Sequence, residues 1–320
     1  MIGCPSFQGR GGMRLVSAML AVLLSFALAA CGSGSDSSSA SEAPAAPQRV
    51  ASLGLGDVDT LLALGVVPVI VAPWAQDAKE PVGEWAKPLL QGKNPQMLLG
   101  TGTELDTKAI ETLAASKPDV IVAVNSGFDD ATFSRLEAIA PVIRRPAQFS
   151  AWGVPWEDQV RAIAGGVGRA AQGDALVTKT QATIRRTQEQ HPQYRGKTAA
   201  TVLPKSDGGF YAYATSDGRG QVLTMLGFTL PEAVSSLIPT GKFFAEIPAE
   251  RVNVLDLDAL VYLDYGTKVA EDTAFRSLAV SRENRVTTID RTIGNAMSMP
   301  NPVTIEWVLQ QLPPRLPAFA

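Results

Sequence analysis

The sequence predicts an α/β protein of two similar lobes with mostly parallel sheets, joined by one long helix, with a ligand cleft between the lobes. Three observations lead there. Residues 170–191, AAQGDALVTKTQATIRRTQEQH, read as one helix, with Gly173-Asp174 offering a start and Pro192 a stop. At 1.5 Å per residue it spans roughly 30 Å. Leu176, Val177 and Ile184 are its large apolar residues, so it reads as a helix lying along a surface or bridging two bodies.

The second observation is a repeat on either side of that helix. Before it stand Leu61-Leu62-Ala63-Leu64-Gly65-Val66 and, later, Glu111 followed eight residues on by Asp119 and the run Val120-Ile121-Val122. After it stand Leu223-Thr224-Met225-Leu226-Gly227-Phe228 and Glu250, followed eight residues on by Asp258 and the run Ala259-Leu260-Val261. One unit used twice, with a connector between the copies, leaves a cleft, and clefts between domains favour ligands. The third observation is apolar runs alternating with helical stretches, the pattern of a parallel sheet covered on both faces.

Taken in order, residues 1–30 read as a signal peptide, 31–48 as a tether, 49–169 as the first lobe, 170–191 as the connector and 192–320 as the second lobe. Met13-Arg14 precedes the short apolar run 15–30, and Met13 offers an alternative start. Leu28-Ala29-Ala30-Cys31 resembles a bacterial lipobox, which implies cleavage before Cys31 and lipid on its thiol. The stretch 32–47, GSGSDSSSASEAPAAP, has nothing with which to bury a core. An anchored, tethered body is expected to sit just outside a membrane.

In the first lobe the sequence predicts strands at 50–53, 66–72, 120–124 and 142–143. Helices are predicted at 58–64 (with Asp57 as a cap), 107–117, 130–139 and 156–167. In the second lobe it predicts a strand at 198–203 and a continuation or hairpin at 210–214. A helix at 221–226, strands at 259–263 and 285–289, and a last helix at 302–312 follow. In open α/β sheets the ligand sits beyond the carboxyl ends of the strands. Trp74, Asn125 and Tyr265 stand there, with Tyr211, Tyr213 and Arg219 nearby and Trp152 ahead of the connector. An aromatic just past a buried strand also serves simply to cap a core.

Composition narrows the function. The 320 residues are 46% hydrophobic, enough for two globular domains, and the net charge of −3 argues against nucleic acid as a partner. The two cysteines, Cys4 and Cys31, both precede the folded part, so neither lobe holds a disulfide or a thiolate zinc site. His191 is the one histidine, which excludes a multi-histidine metal cage and leaves a Ser-His-Asp triad without support. There is no G-x-S-x-G or P-loop, and Gly54-Leu55-Gly56 is only part of a dinucleotide fingerprint. Gly208-Gly209 and Gly218-Arg219-Gly220 read as turns. The expectation is a binding protein, not an enzyme, with no cofactor or metal of its own.

The stretch Ile110-Glu111-Thr112-Leu113-Ala114-Ala115-Ser116-Lys117-Pro118-Asp119-Val120-Ile121-Val122, with the openings Arg49-Val50-Ala51-Ser52-Leu53 and Leu62-Ala63-Leu64-Gly65-Val66, resembles a known family. It is similar to the periplasmic-type substrate-binding proteins for iron–siderophores and cobalamin, lipoprotein receptors of ABC importers in which one long helix joins two α/β lobes. The resemblance covers roughly Arg49 to Leu312. It implies that Glu111 and Glu250, one on each lobe, dock into arginine pockets of the permease; a carboxylate suits a guanidinium fork, and a Glu at a helix start is also simply favoured there. It implies a monomer anchored through Cys31 that captures a ferric siderophore carrying its own chelated Fe3+. Arg219 is the one arginine placed in the cleft, so a neutral or weakly charged chelate, a ferric hydroxamate or mixed siderophore held by aromatic faces, is expected. Haem or cobalamin on the same scaffold is the alternative, with Tyr211, Tyr213 or Tyr265 as candidate haem ligands. An anchored sensor or interaction protein without transport is the alternative of another class.

Overall fold

The computed structural model describes residues 47–75, 77–98, 105–206, 208–266 and 273–319. The expected signal peptide, Cys31 and nearly all of the expected tether lie outside the described residues.

The first lobe is built on β1 (Val50–Ser52), β2 (Ile70–Val71), β3 (Gln96–Met97), β4 (Val120–Ala123) and β5 (Val142–Arg144), in the spatial order β3-β2-β1-β4-β5 with every pairing parallel. Parallel neighbours need crossovers. These are α1 (Asp57–Ala63), α2 (Thr107–Ala115) and α3 (Asp130–Glu137), with α4 (Trp156–Gly166) following β5. Strands β1 and β4 are buried throughout, as continuous apolar runs in a covered sheet should be.

Helix α5 (Ala170–Gln190) leads out of this lobe. It begins at Ala170, ahead of the expected Gly173 start. Gly173 lies inside it because α5 presses on α4 there: a Cβ on Gly173 would come 2.4 Å from the Ala164 Cβ. Its buried face is Gly173, Val177, Thr180 and Thr187. The two buried threonine hydroxyls donate back to Leu176 O and Thr183 O, so neither is left without a partner.

The second lobe contains β6 (Ala199–Pro204), β7 (Phe210–Tyr213), β8 (Phe244–Ile247), β9 (Ala259–Leu263) and β10 (Val286–Ile289), in the order β10-β9-β6-β7-β8. Its helices are α6 (Gly218–Leu226), α7 (Glu232–Ser235), α8 (Thr273–Ser277), α9 (Ala279–Arg282), α10 (Arg291–Ser298) and α11 (Pro302–Gln311). Pairings β6–β9 and β9–β10 are parallel, whereas β6–β7 and β7–β8 are antiparallel. The open choice at 210–214 is thus a hairpin strand, turned by Gly208 and Gly209 at φ +94° and +74°.

Several expectations are corrected. The strand expected at 66–72 pairs only at Ile70–Val71, because Gly65 ends α1 at φ +75° and Pro68 has no N–H to donate. Asp57 does not cap α1. Gly56 holds the N-cap position, and the Asp57 carboxylate is turned inward. Glu111 lies in the second turn of α2, whose cap is Asp106, accepting from Ala109 N at 2.7 Å. Glu250 is the second residue of a 3-10 helix, Ala249–Leu255. Gly218-Arg219-Gly220 is not a turn but the first turn of α6. Strands β3 and β8 and helices α7 to α9 are too short to stand out in the sequence, whereas α10, capped by Asp290 and amphipathic, is absent from the expectations although its pattern is present.

One apolar cluster joins the lobes. It combines Val58, Leu62 and Trp85 of the first lobe and Val177 of α5 with Leu223, Met297, Ile305 and Val308 of the second. The lobes share a core at their joint and separate around the cleft.

Candidate functional site

The cleft encloses about 270 Å3. From the first lobe come the loops after β1 and β4, giving Leu55 and Asn125. They are stitched together: Leu55 N donates to Asn125 O at 2.8 Å, and Asn125 Nδ2 donates to Leu55 O at 3.0 Å. Trp152, Val154, Trp156 and Gln159 complete that wall. Trp152 is held at φ +62°, a conformation an L-residue adopts at a cost of order 1 kcal/mol. Its indole lies on Gly127, where a Cβ would stand 2.8 Å from the indole nitrogen. Gly127 therefore makes the seat for Trp152.

The second wall is the turn from β7 into α6, with Ser216, Asp217 and Arg219, and the turn from α10 to α11, with Ser298 and Pro300. The two segments meet at glycine: a Cβ on Gly218 would come 2.5 Å from Met297 O and from the Pro300 ring. Asp217 caps α6 through Arg219 N and grips the Arg219 side chain in two parallel bonds, 2.8 and 2.9 Å long. The guanidinium also sits 3.7 Å from the centre of the Tyr213 ring. The charged side chains among the described lining residues are Asp217 and Arg219, and they neutralise each other.

The structure brings three of the expected ligand residues, Asn125, Trp152 and Arg219, into one lining and leaves four outside it. Trp74 donates to Glu80 O at 3.1 Å and stands edge-on to Trp85 at 5.1 Å, against the joint. Tyr213 is buried beneath Arg219, and burial pushes its phenol up to about 12. Tyr211 packs on Phe244, with the Lys205 ammonium 5.4 Å from its ring centre. Tyr265 is covered by Arg291 at 4.7 Å and packs on Gly294, and burial raises its phenol as well. Glu111 and Glu250 are exposed, away from the lining.

Sequence reasoning missed Trp156, Gln159 and Asp217. Asp217 was findable, because Asp-Gly-Arg-Gly before an apolar run is an N-cap signal as well as a turn signal. Trp156 and Gln159 sit on α4, which reaches the cleft only through tertiary packing.

Residues 50–290 match the periplasmic binding protein family. Of the solved structures, a periplasmic solute-binding protein of Mycobacterium smegmatis is 32% identical, with 85% of this chain and 93% of that one covered at a TM-score of 0.74. PiaA of Streptococcus pneumoniae, in complex with ferrichrome, is 25% identical, with 83% and 90% covered and a TM-score of 0.71. The probable siderophore-binding lipoprotein YfiY of Bacillus subtilis is 28% identical over 234 residues, 72% of this chain and 67% of that protein.

Proposed function

The chain belongs to the periplasmic binding protein family, and on that premise we propose that it is an extracytoplasmic receptor that captures a ferric siderophore and hands it to an ABC permease. The observation that carries the reading is the cleft: two tryptophans and a set of uncharged polar groups between two lobes, with the one cation among its described lining residues already paired. Such a site suits a bulky, neutral chelate gripped by aromatic faces and a few hydrogen bonds, and a ferric hydroxamate fits it better than a highly anionic catecholate complex. The siderophore-linked names of its relatives support the ligand class. In this reading the iron arrives inside its chelator.

The receptor acts as a monomer held at the membrane by lipid on Cys31. Glu111 and Glu250 carry it onto the permease, one exposed carboxylate per lobe offered to guanidinium groups.

The test is a titration of the full-length protein with ferric hydroxamates, ferric catecholates, haem and cobalamin, followed by tryptophan fluorescence. Trp152 and Trp156 line the cleft and report directly. Sub-micromolar quenching by a ferric hydroxamate is expected. A response to haem or cobalamin alone, or silence across the panel from folded protein, overturns the reading.

A further inference from the structure

Two carboxylates in the first turn of α1, Asp57 and Asp59, are buried to 0% and 1% exposure, and neither lines the cleft. Each reaches towards a different wall. Asp57 Oδ2 accepts from Val124 N at 2.8 Å, and Oδ1 accepts from Gln159 Nε2 at 2.7 Å and Asn125 N at 3.3 Å. Gln159 and Asn125 are polar lining groups of the first wall. Asp59 Oδ2 accepts from Trp85 Nε1 at 2.8 Å and from Asn301 Nδ2 at 3.1 Å. Asn301 belongs to the second lobe. Its Nδ2 also holds Met299 O at 2.9 Å, and its Oδ1 caps α11. Met299 stands between Ser298 and Pro300, which line the second wall.

We propose that Asp57 and Asp59 are positioning residues that set the two walls of the cleft from beneath, Asp57 by orienting Asn125 and Gln159 and Asp59 by tying the 298–300 turn to the first lobe.

The geometry explains why carboxylates stand there. Around each acid the hydrogen-bonding neighbours are donors only, and a carboxylate can accept from all of them. The position is costly to the fold, since burial outweighs these bonds and holds both carboxyls at about 6. Gly54 shows how tightly the arrangement is built: a Cβ there would lie 2.0 Å from Asp57 Oδ2 and 2.9 Å from Asn125 N.

This inference rests on the receptor reading, and the test separates the two. Full-length wild type, Asp57→Asn, Gly54→Ala and the exchange Asp57→Asn with Gln159→Glu are titrated with the ferric chelate panel, alongside thermal melts. Asp57→Asn turns a donor towards donors, and an unmet buried bond corresponds to about 10- to 100-fold in affinity. The expected result is that loss in Asp57→Asn at a temperature where the melts show the variant folded, and partial recovery in the exchange, which returns an acceptor to the pair. Gly54→Ala keeps both charges and displaces the carboxylate, so it is expected to weaken binding too, and it carries the test if Asp57→Asn does not fold. Wild-type affinity in Asp57→Asn, or equal weakness in the exchange, overturns the proposal. Silence of wild type across the panel overturns the receptor reading instead. The positioning role is then decided without ligand, by nuclear magnetic resonance of the Asn125 backbone amide and the Gln159 side-chain amide. Movement of both in Asp57→Asn supports it, and unchanged resonances overturn it.

Discussion

The two lobes share a frame and differ in what is added to it. In each, a central strand (β1 or β6) has a parallel neighbour (β4 or β9) and a second parallel strand beyond that (β5 or β10). In each, an Asp eight residues after the exposed Glu holds the entrance of the central strand. Asp119 accepts from Gln48 N and Arg49 N, both at 2.9 Å, and Asp258 accepts from Thr198 N and Oγ1, both at 2.8 Å. On the other side of the central strand they diverge. The first lobe adds parallel strands, and the crossover α1 carries Asp57 beneath Asn125. The second adds the antiparallel strands β7 and β8, and the exit of β7 leads into α6 and delivers Asp217 and Arg219 to the cleft. The shared side carries Asn125, Trp152, Trp156, Gln159, Ser298 and Pro300 into the cleft, and the divergent side of the second lobe adds its charged pair.

Four measurements test this contrast between the lobes. The largest effect concerns the equivalent glutamates. Glu111→Ala combined with Glu250→Ala is expected to abolish uptake while leaving affinity for the ferric chelate unchanged, measured by iron transport into cells and by fluorescence titration. Weakened binding would place the glutamates in the wrong role.

The buried acids come next. Their folded-state value of about 6 lies above the usual 3.8, so they favour the fold below pH about 4, and that contribution is lost as pH rises through 6. The shift corresponds to as much as about 3 kcal/mol per acid. The groups that hydrogen-bond them, Val124, Asn125, Gln159, Trp85 and Asn301, are uncharged. Melting curves from pH 7 to pH 5 should therefore show wild type gaining on the Asp57→Asn, Asp59→Asn double variant. A constant difference would show that neither acid titrates in this range.

Trp152→Ala is expected to weaken binding by about 2 kcal/mol, roughly 30-fold. Trp74→Ala should lower the melting temperature and leave affinity near wild type, because Trp74 packs against the joint rather than the cleft. The reverse ranking would relocate the ligand.

The smallest effect tests the frame. Asp119→Asn and Asp258→Asn should each cost about 1 kcal/mol of stability by weakening one strand-entrance contact. The Thr198 backbone N–H holds the Asp258 carboxyl below its ordinary range, so its contribution is present at neutral pH and lost as pH falls through that lowered value. Acid melts of wild type and Asp258→Asn should converge. Persistent separation at low pH would mean that the lost stability has another source.

Element type and order in the frame were legible in the chain. Buried parallel strands are unbroken apolar runs, and Val120–Ala123 and Ala259–Leu263 stand out as such. The connector was legible from its uninterrupted polar length. Of the cleft, Asn125, Trp152 and Arg219 were within reach because each lies beside a strand end, a turn or a connector that local pattern identifies. Tyr211, Tyr213, Tyr265 and Trp74 looked alike by that measure and lie outside the lining.

Local pattern was enough to predict two α/β lobes and the helix between them, because hydrophobic period and turn chemistry are local properties of the chain. Which side chains meet follows from the folded arrangement instead. Gln159 and Asp57 are 102 residues apart, and Asp59 and Asn301 are 242 apart. No local period records a contact made across a fold. The same holds for the seat that Gly127 makes for Trp152, since it depends on how close two packed segments come.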